Sequence, residues 1–236
     1  MLDFGHLWPW IGLGAGSLLF VLLTTNALRS NRTVSRWRDI GWLTWAAVCA
    51  CLLHQFEEHG IDARGQVYAF RGVLCANIGF ANASTCPVPV AFITAVNVAA
   101  VWAAGPLSAL MAARWPVIGL SFFSIPAINL FAHAVPALTA QSYNPGLVTA
   151  LALFLPLSLL AFATAITRYH LGVRAVLATL FAGAVAHAIL MGSLMSYVNG
   201  RFGLDTLLLF QIANPLLSAL LVVILSGRRV VRRFAT

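Results

Sequence analysis

Leu204-Asp-Thr-Leu-Leu-Leu-Phe-Gln-Ile-Ala-Asn-Pro-Leu-Leu-Ser-Ala-Leu-Leu-Val-Val-Ile-Leu-Ser226 carries a single charged side chain, Asp205, near its start. An apolar run of at least about 20 residues can cross the hydrocarbon of a bilayer as one helix. Arg228, Arg229, Arg232 and Arg233 follow it directly. Arginines flanking a span mark its cytoplasmic end.

Further spans of the same kind are read at 8–28, 41–60, 88–112, 115–138, 146–167 and 175–197. The expected fold is an all-α, polytopic transmembrane helix bundle of about seven helices. Spans and short loops consume nearly all of residues 1–236, so a single transmembrane domain is expected. Composition agrees, with 61% hydrophobic residues, 8% charged and a mean hydropathy of +0.90. A soluble domain usually carries about 25% charged residues.

The net charge of +8 has a membrane explanation rather than a nucleic-acid one. All 14 basic residues are arginines. Alternation of the spans puts Arg29, Arg32, Arg36, Arg38, Arg114, Arg168, Arg174 and the four tail arginines on one side. Only Arg64, Arg71 and Arg201 fall on the other. That asymmetry predicts an external N-terminus and a cytoplasmic C-terminus. The heavy use of Ala and Arg, without lysine, points to a bacterial cytoplasmic membrane. Absence of lysine also excludes a retinal Schiff base, and with it a rhodopsin. No basic segment precedes the first apolar run, which reads as a retained helix rather than a signal peptide.

The 61–87 stretch is the only long loop and is expected outside, covering the mouth of the bundle. Cys75 and Cys86 flank it on the oxidising side, where a disulfide is expected. Cys49 and Cys51 lie in an apolar span and read as packing residues.

Polar side chains inside lipid are costly and point to function. The second span ends in His54-Gln-Phe-Glu57-Glu58-His59, with the only two glutamates of the chain. On a helix, residues three and four apart share a face, so either glutamate can lie beside His54. His59 points elsewhere, toward water at the helix end. Asn129 and His133, four apart, share a face of the fourth span. His187 comes from the sixth, and Asn97 and Asn214 from the third and seventh. All are expected in one layer toward the outer ends of their helices.

Histidine nitrogen and carboxylate oxygen are zinc ligands, and catalytic zinc sites use three protein ligands plus water. The expected metal ligands are His54, His133 and His187 with Glu57 or Glu58. The other glutamate would act as general base, and Asn97, Asn129 and Asn214 would support. Zinc is favoured over iron as the divalent metal.

His54-Gln-Phe-Glu57-Glu58 in a small polytopic chain resembles the HXXEE family of membrane proteins, named after that motif. The resemblance implies that His54, Glu57 and Glu58 are signature residues; it implies no reaction. Intramembrane histidines also give a looser similarity to metal-dependent hydrolases of the ceramidase type, whose aspartate pattern is absent.

The residues point to a membrane-embedded, metal-dependent hydrolase acting on a lipid or apolar small molecule from the outer half of the bilayer. One alternative is a proton-coupled transporter with Glu57, Glu58 and His54 as relay. Another is a lipid- or pigment-binding membrane protein without turnover.

Overall fold

The computed structural model describes residues 4–80 and 82–227. Seven long helical rods and one short helix make up the architecture. They are α1 (Phe4–Thr24), α2 (Ile40–His59), α3 (Ala69–Asn77), α4 (Val90–Met111), α5 (Pro116–Ala140), α6 (Leu147–Thr167), α7 (Gly172–Val198) and α8 (Leu204–Ser226). No strand occurs among the described residues; one isolated antiparallel bridge pairs Ile61 with Val67. Six rods, all but α2, are long and apolar enough to cross a membrane. The protein is an integral membrane protein.

α2 is the axis of the bundle. Its buried residues run without a lipid-facing stripe from Ile40 to His59, Trp45, Leu53 and Phe56 alone being partly exposed. It packs against α1, α4, α5 and α6. Its start is fixed by Asp39, whose carboxylate accepts from the Gly41 and Trp42 N–H groups (3.1 and 3.4 Å). A side-chain acceptor there satisfies donors that the first turn leaves free. Ser30 and the Asn31 N–H also donate to Asp39, tying the α1–α2 connection to the same carboxylate.

α7 and α8 form an antiparallel hairpin that closes the bundle against α4 and α5. Gly183 permits this closeness, since a Cβ there would collide with the Ser124 carbonyl oxygen of α5. Small residues let helix backbones approach in membranes.

Three rods are interrupted, each next to a proline. α4 widens to a π-helical turn over Val98–Ala104 before Gly105-Pro106, and α6 does so over Ala150–Phe154 before Leu155-Pro156. Proline lacks the N–H that would bond the carbonyl four residues back, so the tight α register cannot be kept there. In α5, Pro126 likewise leaves Phe122 without its bond, and the rod breaks at Phe123.

The first span sits four residues earlier than the apolar pattern suggests, because the chain turns at Thr25 and Asn26. The Asn26 side chain there accepts from Arg29 (3.0 Å). Arg29, Arg32, Arg36, Arg38, Arg114, Arg168 and Arg174 lie in or beside connections at one end of the bundle. Arg64, Arg71 and Arg201 lie at the other. The four tail arginines fall outside the described residues.

The connection after α2 contains α3, which the polar composition of 61–87 concealed. Cys75 on α3 is bonded to Cys86, with Cα atoms 5.6 Å apart. Arg71 adds bonds to the Val88 and Cys86 carbonyls (2.9 and 3.1 Å). Tyr68 donates to the His6 carbonyl of α1 (2.8 Å). The connection is thereby held over the bundle end.

Candidate functional site

Glu58 is buried at 6% exposure and is the centre of the site. Three imidazoles approach it: His54 Nε2 at 3.5 Å, His59 Nε2 at 3.4 Å and His133 Nε2 at 3.2 Å. One ligand atom each from His54, Glu58 and His133 lies within 4.8 Å of the others. Four ligands at about 2.1 Å from a tetrahedral zinc would stand about 3.4 Å apart. The contacts of Glu58 with His54 and His133 have that spacing.

The protonation of each ring follows from its outer partners. Asn144 donates through Nδ2 to the His133 carbonyl (2.9 Å), so its Oδ1 faces His133 Nδ1 (2.7 Å) and must accept there. His133 therefore carries its proton on Nδ1. Thr149 donates its hydroxyl hydrogen to Glu57 Oε2, so it accepts from His54 Nδ1 (2.8 Å). His54 is likewise the Nδ1–H tautomer, and Asn129 Nδ2 meets its Nε2 at 2.9 Å.

For His59 the chain of hydrogen bonds starts at an indole. Trp102 can only donate, so Gln55 Oε1 accepts from it (3.1 Å) and Gln55 Nε2 donates to Asn97 Oδ1 (3.0 Å). Asn97 Nδ2 then faces His59 Nε2 (3.3 Å) as a donor. All three Nε2 atoms are lone-pair nitrogens beside one carboxylate, and those of His54 and His59 also accept an amide N–H. An Nδ1–H held by an outer acceptor and an inward Nε2 lone pair is how metal-binding histidines are oriented.

The two glutamates of the motif do different work. Glu57 accepts from the Val148 N–H (3.1 Å), the Thr149 N–H (2.8 Å), the Thr149 hydroxyl and the Tyr143 phenol (2.9 Å). It caps the start of α6 from a neighbouring helix, where free N–H groups and the helix dipole favour a carboxylate. Glu57 as ligand or base is thus corrected, since both its oxygens are occupied. Burial first, and then the bond to Glu57, hold the Tyr143 phenol pKa well above its ordinary value, so Tyr143 stays a donor.

His187 does not join the cluster. Its Nδ1 is bonded to the Gly183 carbonyl of its own helix (2.9 Å), and the side chain lines the cavity instead. The expected three-helix ligand set is corrected accordingly, because α7 packs on α5 while the cluster is centred on α2. Asn97 and Asn129 contact the imidazoles, whereas Asn214 bonds the Ala186 carbonyl on α7 (2.9 Å). His59 is also corrected. It is buried between Trp8 and Phe70, with ring centroids 5.1 Å from each, and does not meet water at a helix end.

Gly146, the first residue of the span expected at 146–167, was not among the expected site residues. It adopts φ +94°, and a Cβ there would lie 2.7 Å from His54 Cε1, 2.7 Å from His133 Cε1 and 2.9 Å from Glu58 Cγ. The Tyr143-Asn-Pro-Gly146 turn therefore rests directly on the cluster. Its residues were visible in sequence; what they touch was not.

A cavity of about 520 Å³ adjoins the cluster. Glu58, His54 and His133 stand in its wall beside apolar residues such as Phe92, Ile125 and Leu190. α3 covers part of it through Phe70, Leu74 and Asn77. Ligand pockets generally fall between about 300 and 1,000 Å³ and combine an apolar wall with few polar groups.

The family described as "Protein of unknown function with HXXEE motif" matches residues 45–161. Over those residues the chain matches the HXXEE family. The HXXEE region contains His54, Glu57, Glu58, His59, Asn97, Asn129, His133, Asn144, Gly146 and Thr149, the whole cluster with its outer partners. His187 and the α7–α8 hairpin lie beyond the match. No curated protein and no solved structure matches the chain.

Proposed function

We propose that this HXXEE protein is a membrane-embedded, metal-dependent enzyme of hydrolase type, acting on a lipid or other apolar small molecule. One observation carries the reading: three imidazole Nε2 atoms, each the unprotonated nitrogen of its ring, stand within 3.5 Å of one buried carboxylate, and the only hydrogens placed at them are the amide N–H groups of Asn97 at His59 and Asn129 at His54. Such a cluster of acceptors calls for a cation at its centre. Nitrogen and carboxylate oxygen suit zinc better than iron here. Bound zinc would supply an activated water and a polarised substrate carbonyl.

His54, His133 and Glu58 would hold the metal, with Thr149 and Asn144 fixing the two rings. His59, whose Nε2 is 3.4 Å from Glu58, would take the proton of the attacking water. Glu57 would hold the α6 start and the Gly146 turn over the cluster. With the arginine-rich end cytoplasmic and the N-terminus outside, the site would open in the outer half of a bacterial cytoplasmic membrane.

Elemental analysis of the purified protein tests this. The expected result is about one zinc per chain, lost in His54→Ala and Glu58→Gln and retained in Glu57→Gln. A metal-free wild type that takes up solute with protons in proteoliposomes would replace the enzyme with the carrier reading.

A further inference from the structure

The α7–α8 hairpin brings a second set of polar groups to the same cavity. Gln211, 2% exposed, and Asn214, 9% exposed, both line it, one turn apart on α8. Gln211 Nε2 donates to Ser193 Oγ (2.8 Å), and Ser193 uses its own hydrogen on the Leu190 carbonyl (3.1 Å). Asn214 Nδ2 donates to the Ala186 carbonyl (2.9 Å). Both amide orientations are fixed by acceptors, which leaves Gln211 Oε1 and Asn214 Oδ1 without a protein partner. His187 lines the cavity beside them, and its Nδ1 is engaged by Gly183, so Nε2 is a lone pair.

Three acceptors against one spare amide hydrogen, the second N–H of Asn214, is a specific chemical demand. A buried unsatisfied acceptor costs about 1–3 kcal/mol. Native proteins keep few such groups, and each calls for an explanation. An ammonium fits poorly, because no carboxylate among the described residues of α7 and α8 lines the cavity to pair with it. A neutral O–H or N–H fits.

We infer that the α7–α8 wall is a second polar subsite, which takes a neutral hydrogen-bond donor carried by an otherwise apolar ligand. The inference rests on reading the cavity as the substrate site, and it narrows the substrate class. The molecule bears a hydroxyl or amide N–H at a distance from the group that meets Glu58. The apolar wall between accepts its hydrocarbon part. Substrates lacking that donor are rejected, since they leave the acceptors buried and unpaired.

The test uses the full-length protein in nanodiscs, with 1-dodecanol, methyl dodecyl ether and dodecylammonium as probes, read by tryptophan fluorescence. Partition into lipid is common to wild type and variants, so the ratio of affinities is what counts. In wild type, dodecanol should bind about tenfold tighter than the ether, or about 1.4 kcal/mol. Gln211→Met and Asn214→Leu should each reduce that ratio several-fold; if one fails to accumulate, the other decides.

The ratio is measured with a chelator and again with added zinc. An unchanged ratio supports the subsite even if the protein proves to bind no zinc. A ratio that appears only with zinc means that Glu58 and its histidines read the hydroxyl, and overturns the subsite. Equal ratios in wild type and variants, or tightest binding by the ammonium probe, also overturn it.

Discussion

α2 and α8 are both helices of a membrane bundle, yet they are built on opposite rules. α8 is the apolar run by which the chain declares itself a membrane protein, and few of its side chains are buried: Leu207, Gln211, Asn214, Ser218, Val222 and Ser226. Leu209, Leu216 and Leu220 are among its many exposed leucines. α2 fails the length-and-apolarity test for a span and is buried nearly throughout. The difference has one cause. A helix facing lipid must be apolar on its outside, whereas a helix enclosed by protein can carry polar groups that its neighbours satisfy. Hydropathy therefore finds the wall of this bundle and undervalues its axis, and the chemistry sits on the axis.

The largest expected break in that contrast comes from two glycines. Gly146→Ala puts a methyl against His54, His133 and Glu58 at a positive φ, and overpacking and backbone strain add. A stability loss on the order of 4 kcal/mol is expected, with loss of bound metal. Gly192→Ala on α7 meets nothing within 4 Å and should be neutral or stabilising by up to about 1 kcal/mol. Reversible unfolding in mixed micelles compares the two, and similar effects would erase the distinction between axis and wall.

Leucine truncation asks the same question through packing. Leu43 of α2 is 0% exposed and Leu220 of α8 is 54% exposed. Leu43→Ala should cost roughly 3 kcal/mol through the cavity left behind. Leu220→Ala should stay within about 0.5 kcal/mol, because lipid refills the space. A Leu220 effect as large as that of Leu43 would mean that α8 is covered by another chain.

Glu57→Gln sharpens the division within the motif. It weakens the cap on α6 and should cost about 2 kcal/mol while leaving metal bound. Tyr143→Phe is milder than Glu57→Gln, at about 1 kcal/mol near neutral pH. Its signature is alkaline. The raised folded pKa means that the Tyr143 contribution is complete below about pH 10, the ordinary tyrosine value, and is lost as pH rises through the folded value. Wild type should lose stability with alkali more steeply than Tyr143→Phe, and parallel curves would refute the Tyr143–Glu57 link.

By itself the sequence determined the features that composition and period control. Long apolar runs and an asymmetric set of arginines suffice for an all-helical membrane protein with seven rods. The i, i+4 spacing suffices to pair His54 with Glu58, because helix geometry is local. The HXXEE motif was legible as a cluster of costly polar groups at a helix end. Only the tertiary structure decided which glutamate meets the imidazoles, since Glu57 and Glu58 differ by one residue and both faces of α2 are buried. It also brought His59 in, left His187 out and set Gly146 on the cluster. Those outcomes depend on the rotation of α2, on the approach of α6 and on α7 packing against α5. These are contacts between helices, and no spacing along one helix encodes them.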